Sequence, residues 1–257
     1  MKASIITIGN EILKGRTVNT NAAEIGRLLY FSGYEVWRGI VVPDKPEDIG
    51  EAFRLMVSGS DVVVSSGGLG PTFDDITIES FAREFNLKLV LDRDTYEHIK
   101  LLSEKRNLSM TDERVKMAYI PEGASVIENK VGTAPGIYIS IEKCKVFILP
   151  GVPAEMRSML PYIGEVIKLP NSFYHEENLR VAGIYEATMA PFVTALMKKY
   201  DGKVYIKTHP SISAQGGESY LDIEVSAHSS DIKDAEMKAK KVIDELKEIA
   251  ESIKSKT

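Results

Sequence analysis

One stretch of the chain concentrates residue types that handle phosphate and metal. Residues 65–77 read Ser-Ser-Gly-Gly-Leu-Gly-Pro-Thr-Phe-Asp-Asp-Ile-Thr. Gly67, Gly68 and Gly70 let the backbone come close to a ligand and turn N–H groups, with that of Ser66, toward an anion. An apolar run precedes them and a helical pattern follows, so the loop opens at a helix start, where partial positive charge favours phosphate. Pro71 and Thr72 continue the loop, and Asp74 and Asp75 bring the opposite charge. Amide donors beside paired carboxylates suit a phosphorylated ligand that arrives with a divalent cation. A tight turn with an aspartate capping the helix needs one Asp and one Gly. Three glycines, Pro71 and two aspartates exceed that need.

Three further segments carry weaker chemistry. In Leu149-Pro150-Gly151-Val152-Pro153-Ala154-Glu155, Gly151 ends a strand and Pro153 opens a helix. Glu155 falls in the first helical turn, where dipole complementarity alone would place an acid. Gly9-Asn10-Glu11 closes the first strand, and Glu11 reads as a metal ligand, a base or a surface acid. Gly132-Thr133-Ala134-Pro135-Gly136 is a small-residue loop. Asn19, Thr20 and Asn21 read as helix caps. His98, His175, His209 and His228 are scattered, with no metal-ligand spacing. No Walker loop, dinucleotide fingerprint or serine elbow occurs. The single cysteine, Cys144, alternates in phase with Val146 and Ile148 and reads as a buried strand residue.

These loops need a scaffold, and the hydrophobic pattern supplies one. Strands are expected at 4–8, 36–42, 61–65, 137–141 and 145–149. Helices are expected from Val18, from Pro46, at 76–85, 92–106 and 111–117, and from Pro153. Alternating strands and helices imply a mostly parallel sheet covered on both faces, the last strand pair adding an antiparallel element. Ligands sit beyond the carboxyl ends of such strands, where Gly9, Gly67-Gly68 and Gly151 fall. After about residue 170 the pattern becomes strand 179–184, helix 188–200, strands 203–207 and 219–227, and helix 231–254. That order, βαββα, suggests a small α+β domain, so the domains are 1–170 and 171–257. The loop 209–218 is read as a segment that could cover a neighbouring site.

The chain has 257 residues, 44% apolar and 27% charged, which is globular composition with ample core material. No 18-residue apolar run and no signal-peptide core appear, so a cytoplasmic protein without a membrane span is expected. The net charge of −5 argues against a general nucleic-acid binder. Residues 171–257 hold 12 Lys and Arg against 14 Asp and Glu, and no Gly-x-x-Gly loop, which argues against RNA there too.

Four ordered motifs, GNEILKGRTVNTNAAEIGRLL, SSGGLGPTFDDIT, VGTAPGIYI and LPGVPAEM, resemble the N-terminal domain of the CinA family. That domain belongs to the molybdopterin-binding superfamily of MogA, MoaB, MoeA and gephyrin. The resemblance covers residues 1–170, and the βαββα segment is similar to the KH-like domain that follows in CinA proteins. It implies a three-layer α/β/α fold, a homo-oligomer (dimer or trimer), and a nucleotide or pterin ligand. It implies ADP-ribose pyrophosphatase activity with Mg²⁺, Mn²⁺ or Co²⁺; molybdopterin binding and a non-enzymatic RNA module are the alternatives. Carried over by residue, Gly67, Gly68, Gly70, Pro71, Thr72, Asp74 and Asp75 would hold phosphate and metal. Pro150, Gly151, Pro153 and Glu155 would form the facing wall, Gly9, Asn10 and Glu11 the floor, with Thr133 adding a contact from its loop. Asp74, Asp75 and Glu155 are the expected catalytic residues. Asn10 stands where the family usually has Thr. The two domains fill 257 residues, so the deamidase domain of full-length bacterial CinA is not expected.

Overall fold

β-branched runs alternate with amphipathic segments along the first two thirds of the chain. They fold as β1 (Lys2–Ile8), α1 (Asn10–Leu13), α2 (Thr20–Phe31), β2 (Glu35–Val42), α3 (Pro46–Gly59), β3 (Val62–Ser66), α4 (Thr77–Glu84), β4 (Leu89–Leu91), α5 (Arg93–Lys105), α6 (Asp112–Lys116), β5 (Tyr119–Pro121), β6 (Ser125–Ile127), β7 (Gly136–Ile141), β8 (Cys144–Leu149) and α7 (Pro153–Ile167). This computed structural model describes residues 1–212 and 219–255. The chain divides into two units, Met1–Tyr30 with Tyr34–Lys168, and Phe31–Gly33 with Leu169–Thr257.

The large sheet has the order β2-β1-β3-β8-β7-β6. β2, β1, β3 and β8 are parallel, β7 pairs antiparallel with β8, and β6 pairs antiparallel with β7. All five residues of β3 are buried, as a strand covered on both faces requires. On one face Ile6, Ile8 and Val63 pack with Ile49, Phe53 and Met56 of α3 and Phe81 of α4. Phe53 and Phe81 meet edge to face at 4.9 Å. The other helices with buried stripes are α2 (Ile25, Leu29) and α7 (Met156, Met159, Ile163, Ile167). Ile5 of β1 lies against Gly26 of α2, and Leu28 of α2 lies against Gly164 of α7. The result is a three-layer α/β/α unit whose strand order reverses between β1 and β3.

The second unit folds as β9 (Phe173–Ala182), α8 (Glu186–Lys199), β10 (Val204–Ile212), β11 (Ser219–Ser229) and α9 (Ile232–Lys254). Its antiparallel sheet has the order β10-β11-β9. Ala235, Ala239, Val242, Ile243 and Leu246 of α9 are buried, and all but Ala235 join Val181, Leu221 and Val225 in one core. Asp231 caps α9 by accepting from the Lys233 N–H at 2.8 Å. Residues 213–218 of the loop expected to cover a site lie outside the described residues.

Several expected boundaries shift. β4, β5 and β6 are three-residue strands, too short to leave a periodic signal. β9 begins at Phe173 rather than 179, because His175, Glu176 and Glu177 disguise it as polar loop. β10 runs through Pro210, which a sheet edge tolerates because no ladder donor is needed there. Among the described residues no helix is long and apolar enough to cross a membrane.

Candidate functional site

Three strand ends meet at one place. β1, β3 and β8 are neighbours in the sheet and run parallel, so Gly9, Gly67-Gly68 and Pro150-Gly151 emerge side by side. The crossing is tight. Gly67 has φ +114°, and a Cβ there would land on the Ile8 carbonyl oxygen. A side chain at 67 would therefore separate β1 from β3, which explains glycine on geometric grounds.

Above these ends lies a cavity of about 600 Å³. Gly9, Glu11, Gly67, Gly68, Gly70, Pro71, Thr72, Asp74, Asp75, Thr133, Pro150, Gly151 and Glu155 all line it. Ser66 and Pro153 line a smaller adjoining compartment instead. Asn10 lines neither; its N–H donates to Asp44 Oδ2 at 2.8 Å, which anchors the start of α1. Asn19 is the cap of α2 expected from its type, accepting from the Ala22 N–H at 3.1 Å. Asn21 has a different task. It is buried in the first turn of α2 and donates from Nδ2 to the Gly151 carbonyl at 2.9 Å.

The glycine loop is organised by its own polar groups. The Thr72 N–H donates to Asp75 Oδ2 at 2.9 Å. The Thr72 hydroxyl lies 2.5 Å from Asp74 Oδ1 and 2.6 Å from Asp75 Oδ2. One hydroxyl proton thus faces two carboxylates. Lys116 of α6 donates to the Thr72 and Asp75 carbonyls at 2.9 and 2.7 Å, pinning both sides of the loop. The Gly67 N–H is spent on the Leu149 carbonyl at 3.0 Å. The N–H groups of Gly68, Leu69 and Gly70 have no hydrogen-bond partner among the described residues. These are the donors the loop can offer to an anion.

Glu155 is positioned from the opposite wall. Asn129, 5% exposed, donates from Nδ2 to Glu155 Oε2 and to the Ala134 carbonyl, both at 2.7 Å. Its Oδ1 accepts from the N–H groups of Val131 and Gly132 at 3.1 and 2.7 Å. A single asparagine therefore folds the Gly132–Gly136 loop and holds the Glu155 carboxylate beside it. A Cβ at Gly132 would overlap that carboxylate, so the loop passes it as bare backbone.

Several lining residues carry no signal in the sequence. Asp44, Arg106 and Arg114 add charge to the cavity, and Leu102, Leu108 and Met117 add apolar wall. Arg106 and Arg114 bring positive charge from the α5–α6 segment to a cavity otherwise rich in carboxylates. They lie in the charge-dense runs Ser-Glu-Lys-Arg-Asn and Asp-Glu-Arg-Val-Lys, whose composition alone does not point to a cavity.

Among the described residues no group of three His, Cys, Asp or Glu side chains could hold a metal on its own. Asp74 and Asp75 with the Thr72 hydroxyl offer a smaller, all-oxygen set. That set suits a hard cation that takes the rest of its shell from water and ligand phosphates.

Residues 4–168 match the family described as a probable molybdopterin binding domain. The chain belongs to the molybdopterin-binding domain family. It is 45% identical over 253 residues to a protein of Caldivirga maquilingensis, covering 98% of each chain. It is 47% identical over 230 residues to a Thermoplasma acidophilum protein, covering 89% of this chain and 88% of the relative. The crystal structure of the CinA protein of Thermoplasma acidophilum superimposes with a TM-score of 0.61 at 52% identity, over 65% of this chain and 97% of that one. The four CinA-like motifs all fall within the matched family segment.

Proposed function

We propose that this chain binds a phosphorylated nucleotide or pterin in the strand-end cavity and hydrolyses a pyrophosphate linkage, with ADP-ribose as the substrate type. The observation that carries the proposal is the meeting of unlike groups around one cavity. Gly68–Gly70, Thr72, Asp74, Asp75 and the two arginines all line the same 600 Å³. Asp74, Asp75 and Thr72 would hold a Mg²⁺, Mn²⁺ or Co²⁺ ion; when bound, such an ion polarises phosphate oxygens and acidifies water. The glycine-loop amides and Arg106 and Arg114 would bind the anionic phosphates. Glu155, held by Asn129, or Glu11 at the end of β1 would accept a proton from the attacking water. Adding water across the P–O–P bridge would yield AMP and ribose 5-phosphate.

The test is hydrolysis of ADP-ribose by the pure protein with each metal in turn. Asp74→Asn and Asp75→Asn should lower the rate by about two orders of magnitude or more. Equal rates in wild type and both variants would sink the assignment. The family match over residues 4–168 favours a second reading, molybdopterin binding without hydrolysis. Retention of molybdopterin but not ADP-ribose by the protein would establish that alternative. We further propose a cytoplasmic homo-oligomer in which the second unit is a KH-like packing module that does not bind RNA. Light scattering and salt-dependent RNA titration test these points.

A further inference from the structure

Beside Glu11 and Gly151 the main cavity adjoins a compartment of about 70 Å³. Its walls include Thr7, Asn19, Asn21 and Ser66. Two of these side chains are almost wholly buried, Asn21 at 7% exposure and Ser66 at 1%. Asn21 Oδ1 and Ser66 Oγ have no hydrogen-bond partner among the described residues. Each such orphan costs about 1–3 kcal/mol, and folded proteins keep few of them.

The Asn19 amide and the Asn21 amide nitrogen are committed. Asn21 Nδ2 is fixed on the Gly151 carbonyl, so the amide keeps its oxygen as a spare acceptor. Asn19 donates from Nδ2 to Thr7 Oγ1 at 3.0 Å and uses its oxygen on the Ala22 N–H. The Glu11 carboxylate, which borders both spaces, is a further acceptor. The Glu11 charge disfavours phosphate here, and the Asn21 oxygen, an acceptor, with the Ser66 hydroxyl, which can accept or donate, suits a neutral group that donates a hydrogen bond. Its volume admits a water-sized group.

We propose that this compartment is a subsite for a neutral hydroxyl or amino group of the bound ligand, with Ser66 and Asn21 as its hydrogen-bond partners. This rests on the reading of the cavity as a nucleotide or pterin site. The phosphates lie over the Gly68–Gly70 amides, and the donor-bearing end enters beside Gly151. The donor comes either from a sugar hydroxyl or from a pterin amine.

The experiment is calorimetric titration of wild type and Ser66→Ala with ADP, ADP-ribose and neopterin, plus thermal melts without ligand. Wild type should prefer ADP-ribose to ADP by about tenfold, the worth of one good hydrogen bond. Ser66→Ala should erase that preference, yet melt no lower than wild type, because it deletes an unpaired hydroxyl. If the loss in Ser66→Ala instead falls on neopterin, the donor is a pterin amine and the subsite stands. Equal wild-type affinity for ADP and ADP-ribose, with neopterin insensitive to the substitution, overturns it as a pocket for water alone. A lower melting temperature for Ser66→Ala overturns it too, by making the hydroxyl structural. If wild type binds none of the three, the reading of the main cavity fails, and the subsite with it.

Discussion

Gly67→Ala tests whether the strand-end crossing is as tight as its geometry implies. Gly67 sits at φ +114° with the Ile8 carbonyl oxygen where a Cβ would go. An alanine there meets two costs. The backbone conformation is one that L-residues rarely adopt, worth about 1–3 kcal/mol. The new carbon also forces β1 and β3 apart, and overpacking costs about 1–3 kcal/mol more. Gly123→Ala is the control, because Gly123 has φ +84° but nothing within 4 Å of its Cβ position. It carries only the backbone cost, partly offset by the stiffer unfolded chain. The backbone costs cancel between the variants, so the difference should be about 1–3 kcal/mol, or roughly 3–10 °C in melting temperature for a unit of this size. Trp37 is the single tryptophan, and its Nε1 donates to Ser60 Oγ at 2.9 Å within the same unit. Its fluorescence therefore follows unfolding of the unit that holds the site. If the two variants melt within about 1 kcal/mol of each other, the close approach of β1 to β3 is not what requires glycine.

Other expectations follow from single side chains. Asn129→Ala loses four hydrogen bonds at once, one buried and three partly buried, so urea titration should show a loss of about 2–4 kcal/mol and ligand affinity should fall with it. Arg106→Ala and Arg114→Ala should each weaken ADP binding, and by more at low salt than at high salt, since the attraction is screened; a salt-independent loss would point to packing instead. Burial, then the nearby Asp61 charge, pushes the Cys144 thiol up to about 12. The native protein should therefore not react with a thiol reagent at pH 8, while the urea-unfolded chain reacts with one equivalent.

The parallel sheet and its glycine turns were readable from the sequence for one physical reason. A buried strand leaves an unbroken apolar run, and the turn after it must take backbone geometry that only a few residues allow. Gly67 and Gly68, at φ +114° and +68°, take such geometry, and the fold brings Gly9 and Gly151 beside them at the neighbouring strand ends. Asn129 was not readable, because an asparagine that folds a loop looks like any loop asparagine until its partners at 131, 132, 134 and 155 are in place. Arg106 and Arg114 were hidden for a different reason. Arg106 caps the end of α5 and Arg114 sits within α6, both in charge-dense runs, and only the fold brings them to the cavity. Asn21 was half legible: its type suggested a cap, but the cap is Asn19, and Asn21 instead reaches 130 residues along the chain to Gly151.

The floor of the cavity is made of β1, β3 and β8, which lie side by side but are drawn from residues 2–8, 62–66 and 144–149. The pairing of β3 with β8 joins residues some 80 apart, as Val62 with Lys145 shows. Such long-range pairs bear the entropy of loop closure before any contact rewards it. On the ribosome, β1, β2 and β3 can pair early, while the third wall waits for Pro150 and Glu155 to emerge. A nascent chain ending before residue 149 would hold the whole glycine loop and still lack a cleft. The loop's unpaired amides would then face solvent, and binding competence would arrive in one step, with the docking of β8.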